Sequence, residues 1–244
     1  MSQTKPIVIP ERLQERFALA YQLNRVLLLH APCGCGKTEV AKKLLRAYRV
    51  CYLSAAEDNF SLQAIDRDCE VLLIDDLHLL TDSDIKHALC ERIRLEKDKH
   101  FVFLTRGAIP GWLMPFQFAG IMESFGIEDL FLDKAAATAL AEAYGVSLSY
   151  AELGAVLNDT NGYPVALAIL LRRLSDGGTY GQTLLNASKQ QLFMYFDEMI
   201  FCRFEMPLKN LLLEVAPFEN FNVELAKLLS GGAAGTFQPC GTVL

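Results

Sequence analysis

The segment Ala31–Thr38 combines glycines, a lysine and a hydroxyl group at the spacing that cradles a polyphosphate. It reads Ala-Pro-Cys-Gly-Cys-Gly-Lys-Thr. Gly34 and Gly36 lack a Cβ, so their backbone N–H groups can turn inward around a β-phosphate. Lys37 would then reach the β- and γ-phosphate oxygens, and Thr38 would offer its hydroxyl to Mg²⁺. This loop therefore predicts binding of ATP or GTP, even though alanine begins a turn that usually begins with glycine.

The elements on either side of this loop are those that a phosphate loop needs. The apolar run 26–30 precedes it and predicts a buried strand. After it, apolar residues recur at helical spacing as far as Tyr48, so the amino end of a helix points at the phosphates. A glycine turn without a ligand is the alternative, and these flanking elements favour the nucleotide site. The expected nucleotide contacts from this segment are Ala31, Pro32, Cys33, Gly34, Cys35, Gly36, Lys37, Thr38 and Glu39.

Two further apolar runs end in charged residues. Val71-Leu-Leu-Ile is followed by Asp75 and Asp76, and a strand buried on both faces would present these carboxylates at its carboxyl end. Together with Thr38, Asp75 would hold Mg²⁺ directly or through water, and Asp76 would orient or deprotonate the attacking water. A solvated turn is the alternative for this pair.

The run His100-Phe-Val-Phe-Leu-Thr105 ends in the same way, at Arg106. Arg106 would lie near the γ-phosphate and respond to whether ATP or ADP is bound, and an exposed arginine at a strand end is the alternative. The predicted catalytic residues are therefore Lys37, Asp76 and Arg106. The sequence has no guanine-reading Asn-Lys-x-Asp stretch, which favours ATP over GTP, and we expect the adenine pocket near Ile9 and Pro10.

The order of these segments resembles the nucleotide-binding part of the signal-transducing ATPases with numerous domains (STAND), over about residues 8–230. Within that class the chain is most similar to the MalT-like, LuxR-type transcriptional activators. The segments that carry the resemblance are Pro10–Leu13, Ala31–Thr38, Leu73–His78, Leu104–Arg106, Glu128–Phe131 and Asn161–Leu167. The resemblance implies that the strand ending at Arg106 lies between the other two strands. It also implies that Pro164 contacts the nucleotide from a helical domain.

These patterns predict an α/β fold: a P-loop NTPase parallel sheet with helices on both faces, then a small all-α domain and the start of a winged helix. Residues 11–24 predict an amphipathic helix, and three helices are predicted at 134–144, 149–158 and 164–174. The expected domains are residues 1–132, 133–180 and 181–230, followed by a flexible tail at 231–244.

The chain departs from the STAND pattern at two places. Only residues 57–69 separate the second strand from the acidic strand, so the connection must be short. Residues 208–231 are similar to the opening helices of the family's winged helix. The family's helical-repeat sensor and its DNA-binding helix-turn-helix do not follow, so we expect a truncated, frameshifted or excerpted product.

Composition limits the partners and the compartment. The net charge of −6 offers no electrostatic footprint for nucleic acid, so DNA is expected to contact only a domain absent from this chain. No apolar run is long enough to span a membrane. The seven cysteines are an odd number without a C-x-x-C pair, which argues against a disulfide framework and favours a reducing cytoplasm.

The combined prediction is an ATP- and Mg²⁺-dependent molecular switch that hydrolyses ATP slowly to ADP. By the resemblance, its ATP-bound form self-associates within a transcriptional regulator. One alternative is a turnover P-loop enzyme, either a small-molecule kinase or an AAA-type, DNA-loading ATPase. A second alternative is an interaction scaffold that binds no nucleotide.

Overall fold

The computed structural model describes residues 6–65 and 68–218, together with positions 220, 222, 224, 225 and 228. The chain divides into two compact units, with the boundary between Lys189 and Gln190. The predicted tail at 231–244, and Cys240 within it, lie outside the described residues.

The first unit is built on a five-stranded parallel sheet with the order β2-β3-β4-β1-β5. Its strands are β1 Val26–His30, β2 Val50–Ser54, β3 Val71–Asp75, β4 His100–Thr105 and β5 Met122–Phe125. The predicted parallel sheet is confirmed, and β4 lies between the phosphate-loop strand and the acidic strand. Because the strands are parallel, their carboxyl ends meet at one edge, and the candidate residues follow these ends.

Both faces of this sheet are covered, which explains the uninterrupted apolar runs of the central strands. Leu27 and Leu29 of β1 enter one core, and Val26 and Leu28 enter the other. Helices α1 (Glu11–Leu23) and α2 (Lys37–Leu44) cover the first face. Helices α3 (Ser83–Leu95) and α4 (Met114–Phe118) cover the second face. The predicted helix at residues 11–24 is confirmed as α1.

The connection from β2 to β3 spans residues 55–70, which is short for a parallel crossover. Among the described residues between these strands, the helical element is one 3₁₀ turn at Leu62–Ala64. Ile65 and Cys69 of this connection pack into the core on the α3 face. The described part of this parallel crossover therefore contains no full α-helix.

Helix α5 (Ile127–Leu130) follows β5, and three helices with a core of their own come next. These are α6 (Lys134–Ala143), α7 (Tyr150–Thr160) and α8 (Pro164–Ser175), which match the three predicted helices. They bury Ala137, Leu140, Val156, Leu167 and Leu171 among themselves. Ser149 and Glu152 form a capping box at the start of α7.

A left-handed turn between α7 and α8 fixes where α8 begins. Asn161 and Gly162 have φ of 49° and 69°. The backbone of Gly162 accepts a 2.8 Å hydrogen bond from the N–H of Leu132, and a Cβ at Gly162 would lie 2.5 Å from the Leu132 oxygen. This close approach is possible only for glycine, and Pro164 then opens the helix where its missing N–H costs nothing.

Helix α9 (Gln182–Met199) begins in the first unit and ends in the second. The second unit continues with a 3₁₀ turn at Phe201–Arg203 and with α10 (Met206–Val215). The winged helix expected over 181–230 stays a prediction, because part of that segment lies outside the described residues. Within the described part of the chain, every helix is too short or too polar to cross a membrane.

Candidate nucleotide-binding site

The glycines of the predicted phosphate loop adopt conformations that favour glycine. Gly34 has φ of 89° and Gly36 has φ of 78°, both in the left-handed region. Gly36 is the N-cap of α2, and no side chain caps this helix end. A Cβ at Gly36 would meet no atom within 4 Å, so this side of the loop is open. The first N–H groups of a helix have no partner within the helix, so those at the start of α2 can receive an anion.

Lys37 extends back across the same loop. Its Nζ donates hydrogen bonds to the carbonyl oxygens of Ala31 (2.6 Å) and Pro32 (3.0 Å), and the residue is only 9% exposed. Burial lowers the pKa of this ammonium group, because desolvation disfavours the charged form. An anion in the open loop would supply the negative charge that two neutral carbonyls do not. The loop thus places a buried cation beside the backbone N–H groups of a helix end.

Burial raises the pKa of the neighbouring Cys35 thiol to about 11. This cysteine is therefore a neutral side chain near pH 7 and a poor nucleophile. Its place in the loop is explained by packing, since it belongs to the core on the α1 face.

The first carboxylate of the acidic pair is held beside the loop by several donors. Thr38 Oγ1 donates to Asp75 Oδ2 at 2.6 Å, and the N–H of Asp76 donates to Asp75 Oδ1 at 2.7 Å. Tyr52 Oη donates to Asp75 Oδ2 at 3.2 Å, and burial, followed by the charge of Asp75, raises the Tyr52 pKa to about 12. A hydroxyl and a carboxylate side by side form the oxygen donor set that Mg²⁺ prefers, so these residues fit that ion.

The second carboxylate lies beside the predicted sensor arginine. Arg106 Nη2 is 3.7 Å from Asp76 Oδ1, and about a quarter of each side chain is exposed. Asp76 has φ of 51°, a left-handed conformation that is uncommon for a residue with a Cβ. Burial lowers the pKa of the nearby His78, so its imidazole is neutral at pH 7. Arg106 is thus the cation adjacent to the proposed water-positioning carboxylate.

The first turn of α8 packs against the phosphate loop. Tyr163 Oη donates a hydrogen bond to the carbonyl oxygen of Cys33. A Cβ added at Gly34 would lie 2.6 Å from Val165 Cγ1 and 3.0 Å from Tyr163 Oη. Pro164, the residue expected to contact the nucleotide, lies between these two neighbours of the loop. The loop and the start of α8 are therefore in direct contact.

The structure brings the predicted site residues to one edge of the sheet, and their roles remain proposals. Ala31, Cys33, Cys35 and Lys37 are buried, whereas Pro32 and Glu39 are exposed. Near the expected adenine pocket, Ile9 is buried in the core on the α1 face. Sequence reasoning missed Tyr52 and Val165. The strand period could have indicated Tyr52, because it lies two residues before Ser54, which pairs with Asp75.

No family model matches the chain, and no curated protein matches its sequence. Solved structures do share its architecture. A Walker-type ATPase of Pyrococcus abyssi superposes with a TM-score of 0.62 at 13% identity, over 96% of this chain and 86% of that protein. A variant of RuvB from Thermotoga maritima gives 0.57 at 16% identity, over 92% and 82%. The chain has the P-loop NTPase fold.

A STAND protein with a tetratricopeptide repeat sensor, from Pyrococcus horikoshii, also shares this fold. Its TM-score is 0.51 at 17% identity, over 95% of this chain and 40% of that protein. The fold is thus shared by an ATPase, a RuvB protein and a STAND protein. A fold of this kind does not specify a function, which depends on the side chains at the site.

Proposed function

We propose that this chain binds ATP with Mg²⁺ and works as a slowly hydrolysing switch in a signal-transducing regulator. In this proposal the loop N–H groups and Lys37 hold the β- and γ-phosphates. Thr38 and Asp75 hold Mg²⁺, which when bound neutralises phosphate charge during transfer to water. Asp76 orients the attacking water, and Arg106 lies where it can respond to the γ-phosphate.

The observation that carries the proposal is the contact between the phosphate loop and the first turn of α8. Tyr163 donates to the Cys33 carbonyl, and Val165 leaves no space for a side chain at Gly34. A phosphate that reorders this loop must therefore alter its contact with α8. Pro164 would touch the nucleotide from the same turn. The bound nucleotide is then linked to the position of helices α6–α8. Loss of the γ-phosphate removes the contacts that distinguish the ATP-bound arrangement of the loop and these helices from the ADP-bound one.

The regulatory part of the proposal depends on the order of motifs along the chain. That order supports a STAND regulator of the MalT-like, LuxR type, whose ATP-bound form self-associates. We assign no DNA contact to this acidic chain, whose net charge is −6. The odd number of cysteines, without a C-x-x-C pair, supports placing the protein in the reducing cytoplasm.

Nucleotide retention and turnover, measured on the purified 244-residue chain, test this proposal. The switch predicts tightly retained ADP and phosphate release far below about one per second, the low end for kinases. Turnover at or above that rate, with or without a phosphate acceptor, would replace the switch with a turnover enzyme. Failure to bind ATP in the presence of Mg²⁺ would leave only the interaction scaffold.

A further inference from the structure

We infer that Tyr52 is a positioning residue for the magnesium site, because its phenol fixes the orientation of the Asp75 carboxylate. This inference rests on the proposed function, since it assigns Tyr52 a task only if Asp75 serves a metal-bound nucleotide. Tyr52 belongs to none of the sequence motifs that predict the nucleotide site.

Three donors from three parts of the fold converge on Asp75. Tyr52 Oη (3.2 Å) and Thr38 Oγ1 (2.6 Å) donate to the same oxygen, Oδ2. The N–H of Asp76 donates to the other oxygen, Oδ1, at 2.7 Å. Asp75 is only 6% exposed, so water has little access to replace any of these donors. The carboxylate is thereby held against rotation about its Cβ–Cγ bond.

The sheet register explains how Tyr52 reaches this carboxylate. Ser54 of β2 pairs with Asp75 of β3, and Tyr52 lies two residues earlier on β2. Residues two apart on a strand share one face, so the Tyr52 side chain lies on the Asp75 side of the sheet. Lys42 of α2 places its Nζ 4.4 Å from the centre of the Tyr52 ring. The ring is thus set between α2 and the strand end, with its hydroxyl on the carboxylate.

The two hydroxyl donors have different tasks. Thr38 would move its oxygen into the coordination of Mg²⁺, as a phosphate-loop hydroxyl does. Tyr52 lies on β2, outside the loop, and would keep the carboxylate aligned while Thr38 engages the ion. Removing such a supporting donor typically costs 10–100-fold in metal affinity, because the ligand is no longer held in place. Loss of the Tyr52 hydroxyl should therefore weaken metal binding and leave the proposed contacts of Lys37 with phosphate unchanged.

The test compares the full-length wild-type chain with Tyr52→Phe, using a fluorescent ATP analogue. Affinity is measured first in EDTA and then across a Mg²⁺ titration. Tyr48→Phe is the matched control, because Tyr48 is exposed, its ring packs on Tyr21, and it precedes the amino end of β2, whereas Asp75 pairs with the carboxyl end. Tyr52→Phe should keep its affinity in EDTA within about twofold and need about tenfold more Mg²⁺ for the metal-dependent gain. Tyr48→Phe should match the wild type in both measurements.

Binding of Mn²⁺ in the presence of ATP, followed by its paramagnetic resonance signal, gives a second readout that needs no hydrolysis. Tyr52→Phe should immobilise Mn²⁺ about tenfold more weakly than the wild type. An unchanged Mg²⁺ requirement in a variant that still binds ATP would overturn the inference and leave the proposed function intact. Equal losses in EDTA and in Mg²⁺ would also overturn it, because they would indicate a general structural role. A wild-type chain that binds no ATP would remove both proposals.

Discussion

Gly34→Ala is expected to destabilise the chain more than Gly36→Ala, although both glycines lie in the phosphate loop. Both have positive φ, and an alanine in that region costs about 1–2 kcal/mol. A Cβ at Gly36 meets nothing within 4 Å, so this cost should be its whole effect. A Cβ at Gly34 would lie 2.6 Å from Val165 Cγ1, and such overpacking costs about 1–3 kcal/mol more. The expected losses are about 1–2 kcal/mol for Gly36→Ala and about 2–5 kcal/mol for Gly34→Ala.

Val165→Ala separates the two parts of the Gly34 effect. It removes the methyl group that an alanine at position 34 would strike and leaves the backbone conformation unchanged. In a Val165→Ala background, the cost of Gly34→Ala should fall toward that of Gly36→Ala. It should stay somewhat above it, because Tyr163 Oη (3.0 Å) and the Cβ at position 165 (3.2 Å) remain close to the added Cβ. The coupling energy of this double-mutant cycle should then be about 1–3 kcal/mol.

Urea unfolding of the four variants and the wild type, without nucleotide, measures these free energies. Omitting nucleotide matters because phosphate contacts would otherwise add to the effect of each glycine. Equal losses for Gly34→Ala and Gly36→Ala, with no coupling to Val165, would refute the reasoning. They would mean that α8 does not contact the loop in solution, and the proposed link between nucleotide and helices would lose its main support.

Two further predictions concern hydrolysis and pH. Asp76→Asn should retain ATP but slow phosphate release by about 100-fold or more, and undiminished release would show that another group positions the water. Burial lowers the pKa of His100, whose ring stacks on Tyr21, so the folded chain keeps this imidazole neutral while the unfolded chain binds a proton below about pH 6.5. The folding stability that depends on neutral His100 is therefore retained above about pH 6.5 and lost as the pH falls toward the lowered pKa. Urea midpoints measured from about pH 7 to pH 5.5 should fall less steeply in His100→Gln than in the wild type. An unchanged slope in His100→Gln would contradict the assignment to His100.

Strands β1, β3 and β4 could be predicted because they are buried on both faces of the sheet. Such strands read as continuous apolar runs, and the polar residues that follow them mark the edge where the site lies. Strand β5 carries a weaker signal, since Met122-Glu-Ser-Phe125 is short and contains a charged residue. It lies at the edge of the sheet and pairs only with β1 among the described strands.

The candidate site was predictable in so far as it follows local motifs. The spacing of glycines, Lys37 and Thr38 belongs to one loop, and the acidic pair belongs to one strand end. Tyr52 and Val165 have no such local pattern, because their contacts with Asp75 and Gly34 depend on strand register and helix packing. Contacts between elements distant in sequence could not be read from periodicity or spacing.

The most direct test of the account is a calorimetric titration of Mg²⁺·ATP into the wild-type chain, Lys37→Ala and Lys43→Ala. Lys43 lies on the same helix, and its Nζ donates to the Ile7 carbonyl on the exposed side, so it controls for the loss of a positive charge. The account predicts one site per chain in the wild type and in Lys43→Ala. It predicts at least about 10–100-fold weaker binding in Lys37→Ala, the loss expected for a charge-assisted hydrogen bond. Equal affinity in Lys37→Ala and the wild type would contradict the claim that this loop holds the triphosphate.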